Sequence, residues 1–586
     1  GRHTIKVGEN FRRNRVSDFG LLTSTTGWYQ FNSVGDFAAG VTNPNTFSYY
    51  YQSFTNITTA HTRLYNIGVY AQDEWSAAKN LKLTYGIRFD RTGNPQCVDN
   101  CFSRLTAPFT SSSFQKGVDI PYNQSINTGL NTAYYGVDAV VPQPRLGVVW
   151  SPRGGTNSTV IRAGFGLFAD LAPAFLVSHL YSNAPYPYGA LIYNGDEVGD
   201  TTDPNSAPTG ALNQFNAFKT GFLNGATLAQ LNAAVPGGFS PIGYFSIPQH
   251  FGTPEYAEWS FEVEQPIGDK NVVVVTYTGN HGYNLLVQNG FANAAAFTSA
   301  PFNGLPAASP DPRFSGITEI TNQGISNYNG LTVQYRRAFS HGFQGQISYT
   351  WSHSLDDLSN GGSGLPYTFT ANTETSLINP NVRANYGNSD YDIRHNVVGD
   401  FVWDLPWKFS HHALDYLLGN WSLSSKLFLR TGVPETLYDS LLPNIGQGTI
   451  GGQMTPTAVS SIPHYCGVAA VNGATPCLSQ SDFVTAGTET GFGNIGRNTL
   501  FGPGYFNIDT TLYKNIPIRE RMRFVIGASA YNLLNHPHFA DPSANIASGA
   551  IGGIYSTVSA PTSAYGAFQG SLVSGRELVL SAKFRF

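Results

Sequence analysis

Nowhere in the chain do about eighteen apolar residues run together. The longest apolar β-branched run, Val272 to Val275, is far too short, so a membrane-spanning helix is excluded. Charge is scarce too: Asp, Glu, Lys and Arg make up 12% of the residues, against ~25% in an ordinary soluble domain. The net charge of −4 argues against a nucleic-acid partner. Yet the mean hydropathy is only −0.17, so the missing charge is not replaced by bulk hydrophobicity. In its place stand 63 Gly, 39 Phe and 32 Tyr. A β-barrel wall reconciles these features, because residues facing a polar interior alternate with those facing lipid and hide the wall from hydropathy averages.

The last residues carry the pattern most openly. Leu578, Leu580, Ala582, Phe584 and Phe586 alternate with Glu577, Val579, Ser581, Lys583 and Arg585. A period of two is a β-strand with one apolar and one wet face. A final strand of this kind with an aromatic terminus is how outer-membrane barrels usually end, and Leu578, Leu580, Phe584 and Phe586 are its assembly-signal candidates. The alternation recurs at Leu81–Asp90, Ile161–Leu167, Trp259–Glu264, Leu331–Arg336, Ile347–Ser352 and Arg521–Ala528. Further strands start near His3, Leu64, Pro144, Asn271, His395, Trp421 and Gly504. The expectation is an all-β, antiparallel transmembrane barrel region of about fourteen strands, each ~10–13 residues long.

Connections alternate as well. Short turns fall near residues 78–80, 153–155, 268–270, 340–342 and 517–519, with a longer one from 407 to 419. Long polar stretches fill roughly 15–62, 93–141, 171–253, 286–324, 356–392, 432–502 and 534–572. Short periplasmic turns and long extracellular loops are the outer-membrane arrangement. A soluble sandwich would also alternate, but seven long loops on one side are unusual in a compact domain.

Several segments resemble the TonB-dependent receptor superfamily, in particular its Oar-like branch with a carboxypeptidase-regulatory-like N-terminal domain. They are Tyr70-Ala71-Gln72-Asp73-Glu74-Trp75 with Leu81–Asp90, then Pro144-Arg145-Leu146-Gly147, Ile161–Phe168 and Tyr349-Thr350-Trp351-Ser352-His353-Ser354. Gly496-Arg497-Asn498, Gly502-Pro503-Gly504 and Asn532–Phe539 continue the series. The resemblance runs over almost the whole of residues 1–586. It implies a barrel of about 22 strands closed around a plug. About fourteen strands are found here, with no plug, TonB box, initiator Met or signal peptide, so the chain reads as the C-terminal barrel portion of a longer receptor. A self-contained even-stranded barrel is the alternative. The implied function is energy-coupled passage of a large or scarce ligand (carbohydrate, peptide or chelate). The implied partners are outer-membrane lipid, the TonB complex through the missing N-terminal part, the barrel assembly machinery and an unidentified extracellular ligand. A surface-binding or adhesion protein anchored by a barrel is the second reading, and a passive porin the third.

Candidate residues follow from position. Arg88, Arg162, Glu262, Glu264, Arg336, Arg521, Arg523 and Lys583 alternate inward and are expected to line the lumen, paired with one another or with a plug. Cys97 and Cys101, and Cys466 and Cys477, form two sequence-local pairs in outside loops, which suits disulfides in an oxidising compartment better than zinc. Tyr49, Tyr50, Tyr51, Tyr186 and Tyr188 offer flat faces to a ligand, or else pack the loops together. Asp356-Asp357 with His353 would suit a protease site, but an ordinary strand exit is the simpler reading. His411-His412 reads as a solvated turn rather than a metal site, and Asp196, Glu197, Asp200 and Asp203 fit no known Ca²⁺-loop spacing. With no phosphate loop, nucleophile elbow or zinc motif, the sequence implies no enzyme, metal or cofactor.

Overall fold

The computed structural model describes residues 1–586 apart from 19–23, 156, 171–173, 194, 297–301, 360–376, 441–453, 467–476, 520–521, 549–550, 555–556 and 558–574. Fourteen long strands form one antiparallel sheet in sequence order. They are β1 (His3–Asp18), β2 (Ala60–Ala78), β3 (Leu81–Thr92), β4 (Val141–Trp150), β5 (Val160–Ala169), β6 (Glu255–Ile267) and β7 (Asn271–Asn289). Then come β8 (Phe314–Ser340), β9 (Phe343–Asp356), β10 (His395–Asp404), β11 (Trp421–Arg430), β12 (Tyr505–Arg519), β13 (Met522–Tyr531) and β14 (Glu577–Arg585). Each pairs with its sequence neighbour, from β1–β2 through to β13–β14. Among the described residues, β1 pairs only with β2 and β14 only with β13, so the sheet has two free edges.

Register turns the alternation of each strand into one continuous face. Leu83 stands opposite Val148, Val148 opposite Ala163, Ala163 opposite Phe261, Phe261 opposite Tyr277, Tyr277 opposite Leu331 and Leu331 opposite Trp351. At the far end Leu423, Leu512, Ala528 and Leu580 continue the same face. Phe261, Tyr277, Leu331, Trp351 and Leu580 are all exposed there. A soluble protein would cover so much contiguous apolar surface. Trp259 faces Gly279, where a side chain would lie 2.2 Å from the indole; the missing Cβ lets the ring lie flat on the neighbouring strand.

The short connections lie together at one end, and the seven long loops at the other: 19–59, 93–140, 170–254, 290–313, 357–394, 431–504 and 532–576. Two sequence expectations need correction. The strands are not uniformly ~10–13 residues: β7 has 19 and β8 has 27. Antiparallel pairing between β7 and β8 continues past the membrane-length core, through register shifts at Gly282/Leu285 and Leu285/Val287, so the fourth loop is shorter than 286–324. The 407–419 connection is no open turn either, because it contains a helix at His412–Leu418.

The loops are folded. Tyr50, Phe109, Tyr122, Tyr188, Phe218 and Phe314 belong to one core that joins the first three loops to the outer part of β8. Phe291, Phe302, Val382 and Met454 join the fourth, fifth and sixth loops, and Leu437, Phe483, Leu500 and Ile546 join the sixth and seventh.

Candidate functional site

The face opposite the apolar one carries the charges expected inside, and they are paired. Arg162 faces Glu262 across β5–β6, with its Nη1 2.5 Å from Glu262 Oε1 and 2.8 Å from Glu264 Oε2. Glu264 also lies 3.9 Å from Arg336, two strands away. Thr276 Oγ1 donates to Glu262 at 3.2 Å, and Thr332 and Thr350 extend the polar row. This group spans β5 to β9. A second group lies on β1 to β3, where Lys6 and Lys82 approach Glu74 at 2.7 and 2.5 Å. A third is Arg88, which donates to Asp90 through Nε at 2.6 Å and Nη2 at 2.7 Å, while Gln143 Nε2 donates to the same carboxylate. Gly68 makes room for it, since a Cβ there would fall 2.1 Å from the guanidinium. Arg523 and Lys583 sit near the short-turn end, opposite Pro517 and Val525 respectively. Arg521 lies outside the described residues. Solvent screens these partly exposed ion pairs, so they set the polarity of the face more than its stability.

Deeper pairs fix the loops. Arg313 and Asp311 are fully buried, with Arg313 Nη2 2.6 Å from Asp311 Oδ2. The same guanidinium donates to the Ile120 and Gln115 carbonyls and to Ser125, clamping the second loop onto the start of β8. Arg497, also buried, donates to the Asp356 carboxylate and carbonyl, to Asp390 at 3.1 Å and to the Asn385 carbonyl. It ties the sixth loop to the end of β9. Asp357 accepts from Ile325 N at 2.9 Å and from Arg383 at 2.7 Å. Burial pushes the Asp357 carboxyl up, against the pull of those partners. Both carboxylates are thus consumed as anchors, and His353 is bonded to Asn388 at 2.9 Å.

The tyrosines divide. Tyr50 is 4% and Tyr188 1% exposed, both inside the first loop core, which corrects their reading as ligand contacts. Both sit on a three-stranded loop sheet formed by Trp28–Gln30, Tyr49–Thr55 and Pro187–Ile192, where Tyr50 packs against Tyr29 at 4.7 Å and Tyr188 stacks on Phe218 at 5.0 Å between ring centroids. Tyr49 and Tyr51 are on its outer face, 5.3 and 5.9 Å from Trp28. Tyr186 is hydrogen-bonded to Asn100 O at 3.2 Å and to Gly129 N. Cys97–Cys101 and Cys466–Cys477 are disulfide-bonded in the second and sixth loops. Asp200 and Asp203 accept from Thr202 and Asn205, and no metal-holding group of three is present among the described residues.

Sequence reasoning missed a cavity of about 370 Å³ at the loop end, lined by Asp138, His250, Glu255, Asn284 and Asn322. Asp138 accepts from Thr253 N at 2.6 Å and lies 2.7 Å from His250 Nε2. Burial raises the Asp138 carboxyl, but these contacts outweigh it and hold it below the usual range. Asp138 and His250 are 112 residues apart in loops without periodicity, so no local signal joins them.

Solved structures resemble the chain weakly. The FrpB iron transporter from Neisseria meningitidis (F3-3 variant) is 9% identical with a TM-score of 0.41, the match covering 100% of this chain and 52% of that one. For the ferric-catecholate import receptor Fiu from K12 E. coli the values are 11%, 0.40, 100% and 52%. For the copper transporter OprC they are 10%, 0.38, 100% and 55%. The chain therefore spans about half the length of these structures. No curated protein matches the sequence. The outer membrane beta barrel domain family matches residues 1–569, and with its exposed apolar face, alternating connections and paired polar face the chain belongs to that family of the outer membrane.

Proposed function

We propose that this chain is the barrel wall and ligand-capturing loop assembly of a TonB-dependent transporter, of the Oar-like branch that its motifs resemble. The observation that carries the reading is the pairing of a charged inner face (Arg162–Glu262–Glu264–Arg336) with extracellular loops folded into shared cores. A passive pore has no use for folded loops this large. In this reading the fourteen strands belong to a larger barrel. The free edges of β1 and β14 would otherwise leave backbone groups unpaired at membrane depth, where each costs several kcal/mol. The inner face then meets a plug worked by the TonB complex, β14 engages the barrel assembly machinery, and the loops capture the ligand. No covalent chemistry is assigned to the chain.

The test is uptake by cells with and without the gene, across labelled iron chelates, oligosaccharides and peptides, in TonB-competent and TonB-deficient backgrounds. Gene-dependent uptake of one class that vanishes without TonB is the expected result. Gene-dependent surface binding with no TonB-dependent uptake would replace transport by adhesion.

A further inference from the structure

Five of the six short connections reverse the chain in at most nine residues, but the one between β10 and β11 takes sixteen, 405–420. Its side chains are unlike those of a solvated turn. Trp407 is 52% exposed and Leu417 64%, and Phe409, Leu414, Tyr416 and Leu418 are exposed beside them. In the helix His412–Leu418, Leu414, Leu417 and Leu418 stand at the i, i+3, i+4 spacing and share one face. Asp415, on another face, is occupied: its Oδ1 accepts from Phe409 N at 3.0 Å. The helix thus shows a leucine face to its surroundings with nothing packed on it.

What covers that face follows from where the helix is tied. Trp421 Nε1 donates to Leu417 O at 3.4 Å, and Lys514 Nζ donates to Gly419 O. Trp421 and Lys514 are register partners, and Lys514 pairs on its other side with Ile526, so both anchors lie on the apolar, lipid-facing side of the wall. The Lys514 ammonium lies 5.5 Å from the Trp421 ring and is buried. A lysine on the lipid face is tolerated here because its charge is spent on the carbonyl end of the helix. The helix that carries the exposed leucines is therefore tied to the apolar side of the wall through Trp421 and Lys514. Lys408 and His411 are both exposed, with long or polar side chains of the kind that reach headgroups.

We propose that residues 407–418 are an interfacial membrane element, lying in the periplasmic leaflet of the outer membrane with Leu414, Leu417 and Leu418 in the acyl region and Lys408 among the headgroups. The occupant is phospholipid. The proposal rests on the membrane placement of the family and not on transport.

The experiment uses the protein in isolated outer membranes, with single cysteines at Leu417→Cys, Leu414→Cys, His411→Cys and Ser410→Cys carrying a nitroxide. The four native cysteines are paired and do not compete. Accessibility to oxygen, which concentrates in lipid, is compared with that to a water-soluble nickel chelate. Only variants that keep the heat-modifiable mobility of a folded barrel are scored. The expected result is an oxygen-to-nickel ratio several-fold higher at Leu414 and Leu417 than at His411 and Ser410. Equal ratios at all four positions would overturn the proposal in favour of a solvated turn. Shielding of Leu417 from both reagents would overturn it in favour of a protein partner on that face.

Discussion

Arg313 and Arg497 show what single residues do in this molecule. Each is fully buried, and each spends its guanidinium on backbone carbonyls as well as carboxylates, so it staples loop segments that share no secondary structure. Removing one partner of such a pair strands a buried charge, which costs about 3–5 kcal/mol. Arg497→Ala is therefore expected to open the sixth loop to protease while the barrel keeps its heat-modifiable mobility. Limited proteolysis of intact cells followed by mass mapping reads this, and an unchanged cleavage pattern would count against it. Asp36 gives a pH dependence. Thr46, Asn43 and Ser48 donate to its carboxylate and hold it below the usual value. A depressed carboxyl contributes stability above its unfolded pKa and loses it as pH falls through the folded value, so the tip of the first loop is expected to loosen below about pH 4. Hydrogen exchange across 34–48 in acid and at neutral pH checks this, and Asp36→Asn is expected to abolish the difference. Neither arginine stood out in the sequence. Arg497 was visible only inside a Gly-Arg-Asn resemblance, and Arg313 lies in a Pro-rich loop beside its carboxylate Asp311, because the loop segments they staple lie 107 to 198 residues away and leave no periodic trace.

At the scale of elements, the strands were legible and their extensions were not. Expected starts near His3, Asn271, His395 and Trp421 coincide with β1, β7, β10 and β11, because lipid on one side and polar surroundings on the other force a strict period of two. Beyond the bilayer that constraint lapses. β8 starts at Phe314, and its outer stretch with Glu319, Thr321 and Asn322 reads as loop by composition, yet it pairs with β7 from Glu319 onward and in parallel with residues 242–246 before that. The helix His412–Leu418 was hidden for a different reason: its double histidine suggested a wet turn, while its leucines are spaced for a face only seven residues long. On β14 the two faces are expected to respond differently. Leu580→Arg, on the lipid side, is expected to cost about 2–4 kcal/mol if near mid-membrane, and Ser581→Arg on the other face far less. Urea unfolding of the reconstituted protein measures both, and equal penalties would contradict the assigned faces.

The whole molecule joins a wall to a superstructure. The outward face is mainly apolar, the inward face holds ion pairs between neighbouring strands, and the loops pack into cores that link neighbours around the rim. The sequence made the wall, its orientation and the loop side readable, since parity alone places every long segment outside. It did not distinguish ligand-facing from packing tyrosines. Tyr49, Tyr50 and Tyr51 are adjacent, and only the register with Tyr29 and Ile192 decides that Tyr50 points inward. The two free sheet edges bear on the proposed function most heavily. The most direct measurement is the intact mass, with N-terminal sequence, of the protein extracted from native outer membranes. The account predicts a species several hundred residues longer than this chain, carrying further strands, a plug and a TonB box before Gly1. A mature protein that begins at Gly1 would contradict it and leave a self-contained pore or an anchor for the loops.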